Sequence, residues 1–294
     1  DRLMTGVAIR YEDYSEFGDT LDGKVSLRYE VSPNFALRGT VSTGFRAPTP
    51  GQLESTRTSQ GLDTVTLQLF TAGRLSPTSS VAQYFGAKPL QAEDSVSYTF
   101  GFTARAANGF SGSVDVYQID VDNRFGQSQS YQVTDEVRAD LIAQGVPGAE
   151  SFTSVSFFTN AFDTRTRGID FAGNYTLDTA AGQLQFAGGI NFNDTEVTRQ
   201  DGTINEYGVT RIEDGLPNWS ANLSTTWQLG AWEYFARLRY FGEWTDAADQ
   251  ASGAIYQDFG AETLLDLSAT WQINDSLKLR LGVENAFDSY PDEA

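Results

Sequence analysis

The chain has 294 residues, 39 of them acidic and 20 basic, giving a net charge of −19 and an isoelectric point near 4.2. That excess excludes nucleic acid as a partner, since affinity for phosphates comes from Lys and Arg. Cysteine and histidine are both absent, so disulfides, thiolate metal sites, cysteine nucleophiles and histidine triads are excluded, and no apolar run reaches the ~18–20 residues of a spanning helix.

Alternation of apolar and polar residues begins almost at once. It is expected to form strands over 3–13, 23–32, 35–46, 94–106, 110–124, 155–178, 183–197, 219–229, 231–243, 265–273 and 277–284. The clearest case sets Trp219, Ala221, Leu223, Thr225, Trp227 and Leu229 against Ser220, Asn222, Ser224, Thr226 and Gln228. A period of two over such a length is a strand with one apolar and one polar face. The weakest segment is 110–124, whose apolar phase shifts around Val116 and Tyr117. Eleven strands of this length exceed the ~5–6 residues usual in globular proteins and match the ~9–11 that cross a bilayer at a tilt. The fold expected is all-β: part of an antiparallel transmembrane β-barrel, the competing reading being a soluble sheet.

The connections alternate in length. Short ones fall at Ser32-Pro33-Asn34, Ala107-Asn108-Gly109, 178–182, Leu229-Gly230-Ala231 and Asn274-Asp275-Ser276, all turn-forming sequences. Long ones are expected over 14–22, 47–92, 125–153, 198–216 and 244–261. Short periplasmic turns and long external loops are the habit of an outer-membrane barrel. Within 125–153 a helix is expected near 134–144, capped by Thr134, with Asp135 and Glu136 in its first turn and Val137, Leu141 and Ile142 on one side. Gly145 and Pro147 stop it.

Trp219 and Trp227 lie eight residues apart on one face, about 26 Å of strand at ~3.3 Å per residue. A tilt of ~35–45° turns that into roughly 20 Å of height, close to the spacing of two aromatic girdles. Trp232 with Tyr240, and Phe35 with Phe45, repeat the arrangement. The opposite face carries many charges, among them Arg38, Arg105, Arg237, Arg239 and Asp266, which implies a wide, wet or plugged lumen. Acidic residues such as Glu16, Asp135, Asp214, Asp246, Asp249 and Asp258 concentrate in the loops. Their role is expected to be solubility and cation bridging at a lipopolysaccharide surface; no loop has EF-hand spacing.

Three motifs carry a family resemblance. The run from Leu37 to Pro50, with Gly44, Phe45, Arg46, Ala47 and Pro48 at its heart, resembles the "LRG…STGFRAP" element of TonB-dependent outer-membrane receptors. Prolines 48 and 50 cannot continue a ladder, so the strand must stop there. The stretch 157–170, with Asn160, Asp163 and Gly168, resembles the family's "NA-DTRTRG" strand. Asn285, Phe287, Asp288, Tyr290 and Pro291 resemble its "NLFD-YP" element.

The resemblance implies a 22-stranded barrel, an N-terminal plug that fills it, and a TonB-recruiting segment. No plug can be located, so 1–294 reads as one partial barrel domain, the C-terminal half less its last strand. By the same resemblance the parent protein is an integral outer-membrane protein of a Gram-negative bacterium. It would take up a ferric siderophore, cobalamin, haem source or oligosaccharide. Haem is disfavoured because residues 51–92 hold no histidine. Loop aromatics Tyr84, Phe85, Tyr131, Tyr207 and Tyr256 are the candidate ligand contacts, and Arg38, Arg105, Arg237 and Arg239 the candidate plug-facing contacts. Expected partners are lipid, lipopolysaccharide, the plug and the TonB system. No cofactor, metal or catalytic residue is expected, and an enzyme is disfavoured. The alternative is a passive diffusion porin.

Overall fold

The computed structural model describes residues 2–14, 18–62, 67–148, 151–250 and 253–291. In chain order the elements are β1 (Leu3–Tyr14), β2 (Gly18–Ser32), β3 (Phe35–Arg46), α1 (Pro50–Leu53), β4 (Arg57–Leu62), β5 (Leu69–Leu75) and α2 (Ser80–Tyr84). There follow β6 (Glu93–Arg105), β7 (Phe110–Gln127), β8 (Tyr131–Gln132), α3 (Asp135–Ala143), β9 (Ser154–Thr179), β10 (Gly182–Gln200) and α4 (Glu206–Glu213). The last are β11 (Trp219–Leu229), β12 (Trp232–Phe241), β13 (Trp244–Gln250), β14 (Gly253–Phe259), β15 (Glu262–Asn274) and β16 (Leu277–Val283). Eleven of the strands form one antiparallel path, β1-β2-β3-β6-β7-β9-β10-β11-β12-β15-β16, each beside its neighbour in that order. The path is open, with β1 and β16 at its edges.

All five tight turns occur where the sequence puts them, at one end of the sheet. Gly109, Gly182 and Gly230 have positive φ there. A Cβ on Gly182 would come within 1.9 Å of the Gln228 carbonyl oxygen, so that turn needs glycine twice over. All the folded excursions lie at the other end.

Register turns the alternation into continuous rows. Val7 opposes Val25, Val25 opposes Val41, and Val41 opposes Tyr98. Farther along, Leu223 opposes Leu238 and Leu238 opposes Leu265. These residues stay exposed: Val7 is 73% accessible, Leu223 50% and Leu281 70%. Among the described residues no second layer covers them. The buried apolar residues instead lie in the excursions and at the loop-side ends of β7 and β9, apart from Ala36 near the tight turns. A sheet with its apolar face bare and its core in its loops is built for hydrocarbon on that face. Aromatic contacts mark both edges of the band. Phe192 and Trp219 are 4.7 Å apart at the loop side; at the turn side Trp232 and Trp271 stack at 5.4 Å and Phe35 meets Phe102 at 5.5 Å. Among the described residues no helix is long and apolar enough to cross a membrane.

Three expectations need correction. Residues 14–22 are not a long connection: pairing runs unbroken to Tyr14 opposite Gly18. Glu16 lies outside the described residues. Within 244–261, Trp244–Gln250 and Gly253–Phe259 form a second, two-stranded sheet, β13 against β14. In both places the ladder continues into water, where backbone pairing no longer requires an apolar face. The 110–124 strand forms as expected despite the phase shift near Val116. The register of β7 with β6 is regular from Ser111 to Asp122, and Tyr117, Ile119 and Val121 are large residues facing inward. The true irregularity is at Asn123, which has φ +55°. The helix stands as expected, with Thr134 accepting from Val137 N–H and Leu141 fully buried, but Ile142 points to solvent.

Leu223 lies midway between Trp219 and Trp227. In the full-length protein Leu223→Arg is expected to destabilise insertion by about 2–4 kcal/mol, read by denaturant titration in lipid vesicles. Gln228→Arg, one face over, is expected to leave it unchanged.

Candidate ligand-capturing loops, rim and lumen

The excursions are folded, not free. Strand β5 runs parallel to the upper end of β9, pairing Ala72 with Ser154 through Leu75 with Phe157, while β8 pairs with β9 from the other side. Leu75, Val81, Ala82, Val133, Leu141, Val155 and Phe157 close a core between them, joined by α2 and α3. Ring to ring, Tyr84 meets Phe85 at 5.2 Å, Phe85 stacks on Tyr131 at 5.2 Å, and Tyr131 stacks on Phe157 at 5.7 Å. Three of the five candidate loop aromatics therefore form one ladder through this cap. The Tyr84 hydroxyl donates to Asp140 Oδ2 at 2.7 Å. That hydrogen bond, then desolvation, raises the phenol above its ordinary 10.0, so the contact is fully present at neutral pH and is lost as pH climbs through the raised value.

A second unit joins α4 to the tops of β9 and β10 through Ala161, Phe162 and Ile204. Val197 N–H donates to Glu213 at 2.7 Å, and Thr245 N–H to the Asp214 carbonyl at 2.9 Å, which ties the β13–β14 hairpin to α4. Tyr207 is half-buried on α4; Tyr256, on β14, is exposed. Among the described residues no cluster of acids is arranged to hold a metal.

Where the strands become loops, two of the motifs meet in one polar network. Arg46 donates to Glu93 at 2.7 Å and lies 5.0 Å over the Phe125 ring, and Phe125 N–H donates to the same Glu93 oxygen at 2.6 Å. Asn160 accepts from Gln91 N–H at 2.9 Å and donates to the carbonyls of Gln91 and Asn123 at 3.0 and 2.6 Å. Asp163 accepts from Asn123 N–H at 2.8 Å and from both arms of Arg199. The motif residues thus satisfy the backbone at the Asn123 bulge and pin the incoming loops to the rim. Gly168 is glycine because Tyr117 packs against it: an added Cβ would stand 2.3 Å from that ring. Pro48 is buried just past β3; Pro50 opens α1 behind a Thr49 capping box.

The third motif forms a turn. Asn285 and Asp288 have positive φ, and the Asn285 side chain bonds both Ser289 N–H and the Ser289 carbonyl. Its backbone N–H donates to Asp266 at 3.0 Å. Asp266 also accepts from Arg237 at 2.8 Å and Arg239 at 3.0 Å. Phe287 and Tyr290 remain exposed.

Of the candidate lumen arginines, Arg38 pairs bidentately with Asp115, and Arg237 and Arg239 share Asp266. Arg105 makes no ion pair among the described residues. It lines a lumenal hollow of about 710 Å³ near the tight turns, with small residues including Ser111, Ser113, Ala172 and Gly189 on its wall. Sequence reasoning missed Glu93, Asp115, Asn123 and Arg199. The inward phase of β7 was the available signal for Asp115.

The sequence matches the family described as TonB dependent receptor-like, beta-barrel, over residues 1–286. The chain belongs to this family. No curated protein matches it. Solved structures similar in fold include a variant of the ferric enterobactin receptor of Pseudomonas aeruginosa, at 17% identity and TM-score 0.65, covering 98% of this chain and 38% of that one. The siderophore receptor PirA of Acinetobacter baumannii is 12% identical with TM-score 0.65, covering 97% and 39%. The FrpB iron transporter of Neisseria meningitidis is 12% identical with TM-score 0.62, covering 99% and 40%. The chain spans about two-fifths of the length of these receptors.

Glu93→Gln is expected to cost about 1.5–3 kcal/mol, the worth of a charge-assisted hydrogen bond, in a denaturant titration of the full-length protein. Leu141→Ala is expected to cost the cap about 2–5 kcal/mol of local stability. Hydrogen exchange should then quicken over 131–146 while the barrel strands stay protected.

Proposed function

We propose that the full-length protein is an outer-membrane receptor for TonB-dependent uptake of a scarce, bulky solute, and that this chain supplies about half the barrel and its ligand-capturing loops. The observation that carries the reading is the separation of three surfaces on one sheet. An apolar face meets lipid, an ion-paired face lines a lumen, and folded excursions crowd a single rim. A ferric siderophore is favoured over an oligosaccharide because the structural relatives include a ferric enterobactin receptor and a siderophore receptor. Family membership disfavours the diffusion porin. In this reading residues 1–294 are one partial barrel domain, set in a Gram-negative outer membrane beside lipopolysaccharide and completed by a plug.

Within that reading Tyr256 and Tyr207 are the aromatics best placed to touch a ligand, while Tyr84, Phe85 and Tyr131 shape the cap that presents it. Arg105 is the foremost plug contact. It brings an unpaired cation to a wall of small side chains, where another polypeptide can approach closely. Arg38, Arg237 and Arg239 would meet the plug as ion pairs, with their carboxylates already in place.

Uptake of radiolabelled ferric siderophores by whole cells tests the function. Loss in strains lacking either this gene or the TonB system supports it; uptake independent of TonB, or a large open conductance in planar bilayers, overturns it. Tyr256→Ala is expected to weaken ligand binding roughly two- to tenfold, as for one lost aromatic contact. Arg105→Glu is expected to raise leak conductance without loss of folded barrel.

A further inference from the structure

Acids outnumber bases 39 to 20 in this chain, yet one face of the loop sheet carries arginines and no acid. Strands β4, β5 and β8 and the upper part of β9 pair side by side. Leu75 lies in the core, and a Cβ on Gly73 would run into Phe152, so these positions of β5 face the packed side. Alternation sends Ala72 and Arg74 to the opposite side. There the register sets Arg57 directly across from Arg74 on one flank and Ser156 beside it on the other. The next row reads Ser59, Ala72, Ser154 and Gln132.

Like charges directly opposed on neighbouring strands destabilise the pair of strands unless an anion joins them. Among the described residues neither Arg57 nor Arg74 has an ion pair, and their side chains make no hydrogen bond. Other arginines of the loops and rim, such as Arg46, Arg138 and Arg199, each hold a carboxylate. Glu54, three residues before Arg57, ends α1 and pairs with neither cation; Asp63 lies outside the described residues. The Arg74 guanidinium lies 5.2 Å over the Phe158 ring, and its Nε is buried without an acceptor. Arg57, opposite, is exposed. One guanidinium propped on an aromatic ring and a second facing it leave two planar forks for oxygen acceptors brought from outside.

We infer that Arg57 and Arg74 form an anion clamp, and that the solute captured by these loops presents a negatively charged, oxygen-rich face to it, of catecholate or carboxylate type. A neutral chelate or an uncharged sugar leaves the opposed cations unmet. The inference rests on the receptor reading above and deepens it by fixing the sign of the solute's charge. A phosphate on a surface glycolipid shares this chemistry, and the experiment separates the two sources.

Full-length receptor in detergent is titrated calorimetrically with the iron(III) complexes of a tricatecholate and of an α-hydroxycarboxylate, both anionic, and of a trihydroxamate, which is neutral. At least one anionic complex is expected to bind about tenfold or more tighter than the neutral one, as for a charge-assisted contact. Arg57→Gln with Arg74→Gln should reduce it to the level of the neutral complex, whose own binding stays unchanged. Arg57→Lys with Arg74→Lys should recover part of the loss, since charge returns without the fork, and Lys88→Gln, which removes a loop charge elsewhere, should change nothing. Phenylglyoxal labelling of Arg57, read by peptide mass spectrometry, separates the sources: the anionic complex should protect it and bisphosphorylated lipid A in mixed micelles should not. Neutral binding as tight as both anionic complexes, binding of neither anionic complex, wild-type affinity in the double glutamine variant, or protection by lipid A alone overturns the proposal. Electrophoretic heat-modifiability reports that each variant is folded. TonB-dependent uptake is scored separately, so a receptor that imports only a neutral complex would sink the clamp and leave the receptor reading standing.

Discussion

Hydrocarbon offers no hydrogen bonds, so every peptide group placed in it must find its partner within the protein. Along this chain the nine inner strands of the path meet that requirement on both sides and β1 and β16 on one, and most other features follow from it. The ladder enforces a period of two, so each strand can show lipid one row of side chains and the interior another. It sets the strand lengths, because pairing must persist across the apolar band. It also confines irregular backbone to the two edges of the sheet, where water is available, and the Asn123 bulge falls at the loop-side edge, not in mid-span.

Once past that edge the same chain obeys different rules. Strand β9 continues for 26 residues, and its upper part leaves the barrel ladder to pair with β5 and β8 around an ordinary hydrophobic core. The change of environment is marked by the polar network of Arg46, Glu93, Asn123, Asn160, Asp163 and Arg199. These side chains satisfy backbone and charge where the regular ladder ends, which gives a physical reason for the residue types in two of the three motifs. The third motif works in the same way at the end of β16: Asn285 closes its own turn and anchors to Asp266, which already holds two lumen arginines. The motifs are therefore structural joints between barrel and loops, and ligand contact falls to residues the joints hold in place.

The barrel was legible in the residues because lipid demands a periodic pattern. The run from Trp219 to Leu229 announces its strand, both faces and both girdle positions with no help from the rest of the chain. Legibility stopped where water took over. The segment from Trp244 to Phe259 reads as an acidic loop, yet it pairs as a hairpin, since strands in water need no apolar row. Tyr84, Phe85 and Tyr131 read as free loop aromatics because nothing local announces the parallel pairing of β5 with β9 that draws them together. The lumen arginines were visible by phase, and Asp115 could have been found the same way. Glu93 could not: its role depends on the meeting of Arg46 and Phe125, which are far apart in sequence.

The central claim is that alternate side chains of these strands face lipid and lumen, and a nitroxide scan along β11 tests it directly. With the full-length protein in lipid vesicles, spin labels placed singly from Ser220 to Thr226 report collisions with oxygen, which dissolves in hydrocarbon. Labels at Ala221, Leu223 and Thr225 should show high oxygen accessibility and those at Ser220, Asn222, Ser224 and Thr226 low, with the period of two unbroken. Uniformly low accessibility at the odd positions would mean that Leu223 and its row are covered by protein, and would contradict the account.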